Sequence, residues 1–333
     1  MSDPGLLTVV VLTYNRKAFL AESLQALRRQ TFVDFSAYIL DNASDDGTEF
    51  VVQPFLTDPR FRYLRHEKNI GAVGNHNYSF GIGETPYLCI THDDDVMEPR
   101  FLETLVRVLE NDRSIDLAFC NTDAIDNTGR VIKSGYFSSL FGLTRNIRCE
   151  KLDFIKKYIR SKFNIVCPAT VLRREPILTS GFRFQEKAGP GADTHFWMQL
   201  NFLDGAFHYE HEVLYRYRLH PGQDSSLSAA ILSTKLYRPG LFLLLQQGAF
   251  NEASAWRNRF VWDNFIAWSK AAYEHRSDAV WNRELDKVRH LDLGWLLNGL
   301  LWLIPTSPTS RVWYYRLLIV NLFRLHKLRG LFP

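Results

Sequence analysis

Apolar residues in the first third of the chain alternate between two spacings. Short runs of consecutive apolar residues, typical of buried strands, are followed by segments whose apolar residues recur at helical spacing. This alternation predicts an open, doubly wound α/β sheet of parallel strands joined by right-handed crossover helices. The predicted strands cover residues 7–12, 37–40, 61–64, 87–90 and 115–120, and the predicted helices cover residues 18–29, 72–80 and 101–109.

The alternation weakens after residue 123, and this change divides the chain. We expect one α/β domain over residues 1–228, with a first half at about 6–122 and a second half at 123–228. Turn-forming residues at 221–228 end this domain. Residues 229–333 carry Trp, Phe and Leu at helical spacing, so a mostly helical C-terminal region is predicted.

Composition narrows the class of protein. A chain of 333 residues with 46% hydrophobic content can bury a full core. Its net charge of +4 is small for this length and gives no reason to expect a nucleic-acid partner. The four cysteines lie far apart and form no C-x-x-C pair, which fits neither a zinc ribbon nor a disulfide framework. Since the N-terminus also shows no basic segment followed by an apolar stretch, we expect a cytoplasmic protein.

The basic excess of the chain lies in residues 293–333, which contain five basic residues and no acidic one. Two apolar stretches near this end, 295–304 and 312–323, are not predicted to span a membrane, because the first is too short and the second contains Arg316 and Asn321. On a helical wheel, polar and apolar residues of the second stretch fall on opposite sides. This pattern fits a peripheral helix on an anionic membrane surface. It fits equally a helix packed on the rest of the chain or on another subunit.

Polar residues follow three of the predicted strands at the point where each strand ends. Residues 13–16 follow the first strand, residues 41–47 the second and residues 91–95 the fourth. Open α/β sheets bind ligands at the carboxyl ends of their strands, so these segments are expected to share one site. The second segment is also compatible with an ordinary Asx turn that caps the next helix.

The third segment contains three adjacent carboxylates, Asp93, Asp94 and Asp95. Such a cluster after a buried strand is costly unless a cation or hydrogen-bond donors compensate the repulsion. Carboxylate oxygens suit Mg²⁺ or Mn²⁺, which complete their shell with water and substrate phosphates. The chain has no G-x-x-x-x-G-K-[ST] loop, and residues 71–74 lack the spacing of a dinucleotide fingerprint. The carboxylates therefore predict a site for a divalent cation and a diphosphate ligand. The missing motifs remove the main support for an ATPase or an NAD enzyme.

Six segments occur in an order that resembles the family-2 inverting glycosyltransferases of GT-A fold, over roughly residues 6–226. They are VVVLTYNR (9–16), LDNASDDGT (40–48), NIG (69–71), the aspartates 93–95 followed by Pro99, GADTHFW (191–197) and YRLHP (217–221). The resemblance implies a Rossmann-like open mixed sheet flanked by helices. It also implies transfer of a sugar from a nucleoside-diphosphate sugar, UDP- or dTDP-linked, to a hydroxyl of a glycan or lipid-linked acceptor, as in bacterial surface polysaccharide synthesis at the inner face of the cell membrane.

The resemblance also assigns roles, position by position. Asp94 is the implied chief ligand of Mn²⁺ or Mg²⁺, Asp95 supports it, and His220 is a further candidate ligand. Asp193 is the implied general base. Tyr14 would stack near the base and Asp41 would accept from the base edge. The whole implied donor-binding set is Thr13, Tyr14, Asn15, Asp41, Asn69, Gly71 and Asp93.

The chain departs from the family pattern at two positions. His92 stands where many relatives have the first aspartate of a D-x-D-D arrangement, and Ala192 replaces the first acid of the usual Glu-Asp pair. Asp193 is also compatible with a simple helix cap, and His220 with a structural role beside Pro221.

Two other classes of protein stay open. One is a nucleotidyltransferase, although no Gly-rich basic loop lies near the N-terminus, and the other is a non-catalytic glycan- or lipid-binding relative.

Overall fold

The computed structural model describes residues 5–159 and 164–221. The predicted domain boundary at residue 228, the helical region 229–333 and the basic tail lie outside these residues. None of the helices in the two described ranges is long and apolar enough to cross a bilayer.

Ten strands and eight α-helices make up the described fold. The strands are β1 (Leu7–Thr13), β2 (Phe35–Asp41), β3 (Phe61–Arg65), β4 (Tyr87–His92), β5 (Val96–Met97), β6 (Ile115–Ile125), β7 (Val131–Lys133), β8 (Ile147–Cys149), β9 (Thr170–Arg173) and β10 (Ala206–Arg218). The helices are α1 (Lys17–Arg28), α2 (Thr48–Val52), α3 (Gly71–Ser79), α4 (Phe101–Asn111), α5 (Tyr136–Phe141), α6 (Asp153–Ile159), α7 (Arg174–Ser180) and α8 (Ala192–Leu200), with 3₁₀ turns at Gln53–Phe55 and Glu186–Gly191.

The strands form one mixed sheet in the order β3-β2-β1-β4-β9-β6-β10-β5, with β7 beside β6 and β8 beside β10. Strands β1 to β4 are mutually parallel, and β10 is parallel to β6. Strand β9 lies between β4 and β6 and runs antiparallel to both. The expectation of an open mixed sheet flanked by helices is therefore confirmed, but the sequence pattern did not predict the reversal at β9.

The central strands are apolar because helices cover both faces of the sheet. All seven residues of β1 are buried, as are the first five of β4. Helix α4 buries one apolar stripe, and its polar residues lie on the opposite side. This stripe consists of Phe101, Leu102, Leu105, Val106 and Leu109.

The register of the sheet decides which loops meet. Thr13 pairs with Asp41 and Leu12 pairs with His92, so the loops after β1, β2 and β4 leave the sheet at one edge. The short strand β5 turns back from β4 and pairs antiparallel with β10. Because of this pairing, the carboxyl end of β10 lies beside the aspartates that follow β4.

Candidate active site

Arg16 lies between two of the three aspartates. Its Nη1 is 3.3 Å from Asp93 Oδ1 and 3.3 Å from Asp94 Oδ2, and the backbone N–H of Tyr14 donates to Asp93 Oδ2 at 3.3 Å. Burial and the neighbouring charge of Asp94 raise the pKa of Asp93 to about 7. The loop after β1 therefore supplies part of the positive charge that the cluster requires.

Asp94 is the aspartate of the cluster that bonds to an imidazole. His220 Nε2 lies 3.0 Å from Asp94 Oδ2. Burial acts to raise the pKa of Asp94, but the hydrogen bond from His220 and the nearby Arg16 hold it below its usual range. Oδ1 of the same carboxylate accepts no hydrogen bond from the described residues. This oxygen is free to take a further ligand.

Asp95 is bonded to the protein through both of its oxygens. The backbone N–H of Arg218 donates to Oδ1 at 2.8 Å, and the Tyr215 hydroxyl lies 3.3 Å from Oδ2. Burial, followed by the charge of Asp94, raises the pKa of this carboxyl well above its usual range. Asp95 thus joins the segment after β4 to β10.

The Arg218 side chain connects four parts of the site edge, a role that sequence reasoning did not assign. Its Nε donates to the Asp94 carbonyl at 2.6 Å, Nη1 to the Asp126 carbonyl at 2.8 Å and Nη2 to Glu22 Oε2 at 2.6 Å. The guanidinium also lies over the Phe19 ring, 4.8 Å from its centroid. The sequence feature that could have indicated this role is the position of Arg218, a charged residue in a strand-like run, within the segment YRLHP.

The Asp41 carboxylate at the end of β2 is fully buried and hydrogen-bonded on both oxygens. Oδ1 accepts from the Ser44 backbone N–H and hydroxyl at 2.8 and 2.6 Å. Oδ2 accepts from the Tyr63 hydroxyl at 2.5 Å, and Arg65 Nε lies 3.6 Å from it. Asp41 therefore fixes the turn that follows β2.

Tyr14, in the loop after β1, is 44% exposed, so its ring is available for stacking.

Asparagine side chains join the neighbouring loops through hydrogen bonds. Asn15, at φ +53°, accepts from the Asp45 backbone N–H at 2.9 Å. Asn42 donates to Asn69 Oδ1 at 3.0 Å, and the same oxygen accepts from the Gly71 N–H at 2.7 Å. Gly71 begins α3 at φ +79°, a conformation that favours glycine. Asn42 was not among the predicted donor residues, although it contacts two of them.

Asp193 lies in the first turn of α8 and is only partly buried. Its Oδ1 accepts from the Thr194 backbone N–H at 2.6 Å. Burial is the main cause that raises its pKa, to about 6. Burial, followed by the charge of Asp193 and, more weakly, that of Asp95, raises the pKa of the Cys167 thiol. The candidate base is therefore in electrostatic range of a thiol that also senses the aspartate cluster.

The arrangement combines a buried carboxylate cluster at a strand edge with a separate, partly exposed carboxylate of raised pKa. The first part is suited to holding a cation beside a phosphate group. The second is suited to removing a proton near neutral pH. Together they can support a displacement in which negative charge leaves on one side and a proton is taken on the other.

The amino-acid sequence of the chain is similar to those of known proteins. Residues 8–178 match the family model "Glycosyl transferase family 2". A glycosyltransferase of Methanocaldococcus jannaschii is 29% identical over 269 residues, which cover 79% of this chain and 86% of that protein. The GalNAc(5)-diNAcBac-PP-undecaprenol β-1,3-glucosyltransferase of Campylobacter jejuni is 25% identical over 233 residues, or 69% of this chain and 70% of that protein.

Two solved structures share the fold at low sequence identity. TarS 1–349 of S. aureus in complex with UDP-GlcNAc superposes with a TM-score of 0.61 at 15% identity, covering 95% of this chain and 90% of that one. The mannosyltransferase PcManGT of Pyrobaculum calidifontis, in complex with GDP-Man and Mn²⁺, gives a TM-score of 0.58 at 16% identity and covers 97% and 90%. These likenesses support the mixed sheet described above.

Proposed function

Because the chain belongs to glycosyl transferase family 2, with residues 8–178 matching that family, we propose that it is a metal-dependent inverting glycosyltransferase. It moves a sugar from a nucleoside-diphosphate sugar to a hydroxyl of a glycan or lipid-linked acceptor. The observation that carries this proposal is Asp94, a buried carboxylate at the carboxyl-end edge of the sheet, with one oxygen bonded to His220 and the other without a hydrogen bond from the described residues.

The side chains around Asp94 fit a divalent cation. Its open oxygen and the adjacent His220 imidazole offer a hard oxygen and a nitrogen donor, a set that suits Mn²⁺ and, through oxygen and water alone, Mg²⁺. The neighbouring Asp95 is bonded to the Arg218 backbone N–H at the end of β10, which fixes the segment that carries Asp94. When bound, the cation would offset negative charge on the leaving diphosphate.

Asp193 is the proposed general base. As the acceptor oxygen attacks the anomeric carbon from the face opposite the diphosphate, the hydroxyl proton passes to the Asp193 carboxylate and the bond to the diphosphate breaks. A pKa of about 6 leaves most of this carboxylate ionised at neutral pH while keeping it a better base than an ordinary aspartate. The hydrogen bond from Thr194 orients it.

The donor pocket is proposed to lie along the loops after β1 and β2. Tyr14 presents an exposed ring for the nucleobase. Asn15 and Asp41 hold those loops together, so any contact of Asp41 with the base edge would be made from a carboxylate already fixed by Ser44. Thr13, Asn69, Gly71 and Asp93 complete the proposed donor set.

Donor and acceptor classes are proposed from the relatives. The two solved neighbours hold UDP-GlcNAc and GDP-Man, which supports a nucleoside-diphosphate sugar, and we propose a UDP- or dTDP-linked one. The Campylobacter jejuni relative is named for a diphospho-undecaprenol-linked glycan acceptor. We propose an acceptor of that lipid-linked class, used in bacterial surface polysaccharide synthesis, and a peripheral location on the inner face of the membrane.

Incubation with a panel of UDP-, dTDP- and GDP-sugars tests the proposal. We expect release of nucleoside diphosphate with at least one donor, and loss of that release in excess chelator. Release of pyrophosphate from nucleoside triphosphate and sugar phosphate would instead indicate a nucleotidyltransferase. Donor binding without any release, with lipid-linked acceptors present, would indicate a non-catalytic relative.

A further inference from the structure

Three side chains next to the aspartate cluster form a second group of metal-binding type. They are His76 in α3, His92 at the end of β4 and Cys167 in the segment before β9. One ligand atom from each lies within 4.8 Å of the others. Two of its members are 16 positions apart and Cys167 lies far from both in the sequence, and the proposed transfer reaction uses none of the three.

The two imidazoles face each other through their Nε2 atoms, which are 3.2 Å apart. His76 Nδ1 lies 2.9 Å from the Ala72 carbonyl, and a carbonyl can only accept, so Nδ1 carries the proton. In neutral His76 the Nε2 atom is then a bare lone pair that points at His92. A ring whose second nitrogen donates to a backbone carbonyl is the usual arrangement of a metal-bound histidine.

The spacing of the two imidazole nitrogens matches a small tetrahedral site. With metal–nitrogen bonds of about 2.0–2.1 Å, two imidazole nitrogens on one tetrahedral ion are separated by roughly 3.3 Å. The observed 3.2 Å agrees with that separation. His76 and His92 are only partly buried.

The donor types select the class of ion. A thiol and two imidazoles suit zinc and similar thiophilic cations, whereas Mg²⁺ and Mn²⁺ prefer oxygen. Burial, then the charge of Asp193, raises the pKa of the Cys167 thiol well above its usual range. An ion that forms a strong bond to sulfur is therefore needed to release the thiol proton to solvent. His92 also lies within 4.8 Å of Asp94 and Asp95, so the two groups are adjacent.

We propose that His76, His92 and Cys167 bind a thiophilic divalent cation, Zn²⁺ being the best fit, with water in the fourth position. This site is separate from the Mn²⁺ or Mg²⁺ position at Asp94. Its occupation would tie α3, the end of β4 and the segment before β9 together beside Asp193.

Titration of the full chain with Co²⁺, a spectroscopic substitute for Zn²⁺, tests the proposal without reference to turnover. We expect a thiolate-to-cobalt charge-transfer band at one equivalent, and its displacement by Zn²⁺. Cys167→Ser should abolish the band and weaken the binding of this equivalent about 100-fold or more. Cys149→Ser, which changes a buried thiol outside the group, should leave the band intact.

Two further variants separate this site from the proposed catalytic cation. Asp94→Ala should retain the cobalt band even where it loses Mn²⁺-dependent transfer. His76→Gln should keep the folded chain while weakening Co²⁺ binding, which decides the matter if Cys167→Ser fails to fold. Absence of a thiolate band in the wild-type chain, or a band that survives Cys167→Ser, would overturn the proposal.

Discussion

Asp193 shows how its surroundings adjust the chemistry of a single carboxyl group. Its pKa is raised to about 6, chiefly because burial disfavours the charged form. If this group is the base, kcat/KM should fall as pH drops through about 6, approaching a tenfold loss per unit below it. The measurement is a pH profile of transfer at subsaturating donor, with circular dichroism confirming that the fold persists over the same range.

Asp193→Asn keeps the size and hydrogen-bonding oxygen of the side chain but cannot accept the proton. We expect a folded protein with near-normal nucleotide affinity and transfer reduced about 10²-fold or more. Because the ionised form is disfavoured in the folded state, the variant should be at least as stable as wild type at pH 7.5, with the difference fading towards pH 4. Wild-type turnover in this variant would mean that the base lies elsewhere.

Asp94→Ala removes the carboxylate that bonds to His220. We expect loss of turnover and weaker donor binding in Mn²⁺, because the proposed cation would lose its main oxygen ligand. Asp204→Ala serves as the matched control, since the Asp204 side chain lies exposed in the turn between α8 and β10. Full activity of wild type in excess chelator would contradict a metal-dependent mechanism.

The sequence indicates the candidate site residues more readily than their partners. Asp93 to Asp95 follow an apolar run, and Asp193 lies in a family-like segment, so both could be proposed in advance. Contacts that affect their protonation come from residues far along the chain, such as the Tyr215 hydroxyl and the Arg218 backbone N–H on Asp95. Local spacing gives no indication that residues more than a hundred positions apart will meet.

A helix or strand can be predicted from the sequence when the residues that stabilise it lie within the element itself. It cannot be predicted when its position depends on pairing with distant strands. Helix α4 was predicted at 101–109 and observed as Phe101–Asn111, because its apolar stripe is complete within the helix. Strand β9 was missed. It has four residues and runs antiparallel between β4 and β6, and only their pairing with it establishes that position.

The end of β10 should depend strongly on Arg218. Arg218→Ala leaves Glu22 and the buried Asp94 carbonyl without their donor and removes one of two donors from the part-buried Asp126 carbonyl, so we expect a loss of about 2–3 kcal/mol in the free energy of unfolding. Glu22 is half exposed, which keeps the expected loss at the lower end for a buried ion pair. Urea unfolding measures it.

Arg100→Ala provides the comparison for that loss. Arg100 forms an exposed ion pair with Glu212, and such pairs contribute about 0–1 kcal/mol. Equal effects of the two substitutions would show that the Arg218 contacts do not hold β10.

At the scale of the whole molecule, the basic tail, residues 293–333, predicts binding to an anionic membrane surface. If residues 293–333 contact anionic lipid, the full chain should sediment with anionic liposomes and a chain ending at Gly294 should not. Neutral liposomes provide the control, because the expected attraction is electrostatic. Equal sedimentation of both chains would favour the alternative, in which the tail packs on protein.

The pairing of β10 with β6 has a consequence for the order of events during synthesis. Asp95 and Arg218 are joined by a hydrogen bond across 123 positions of the chain, and β6 lies about ninety residues before its partner. A ribosome has therefore released β1 to β4 long before the strand that completes the aspartate cluster exists. Contacts of such high sequence separation form slowly, and nascent domains expose apolar surface and unpaired strand edges until they close. Until that last strand docks, the sheet keeps an unpaired strand edge, and Asp95 lacks its hydrogen bonds from Tyr215 and Arg218 although Arg16 is already beside Asp93 and Asp94.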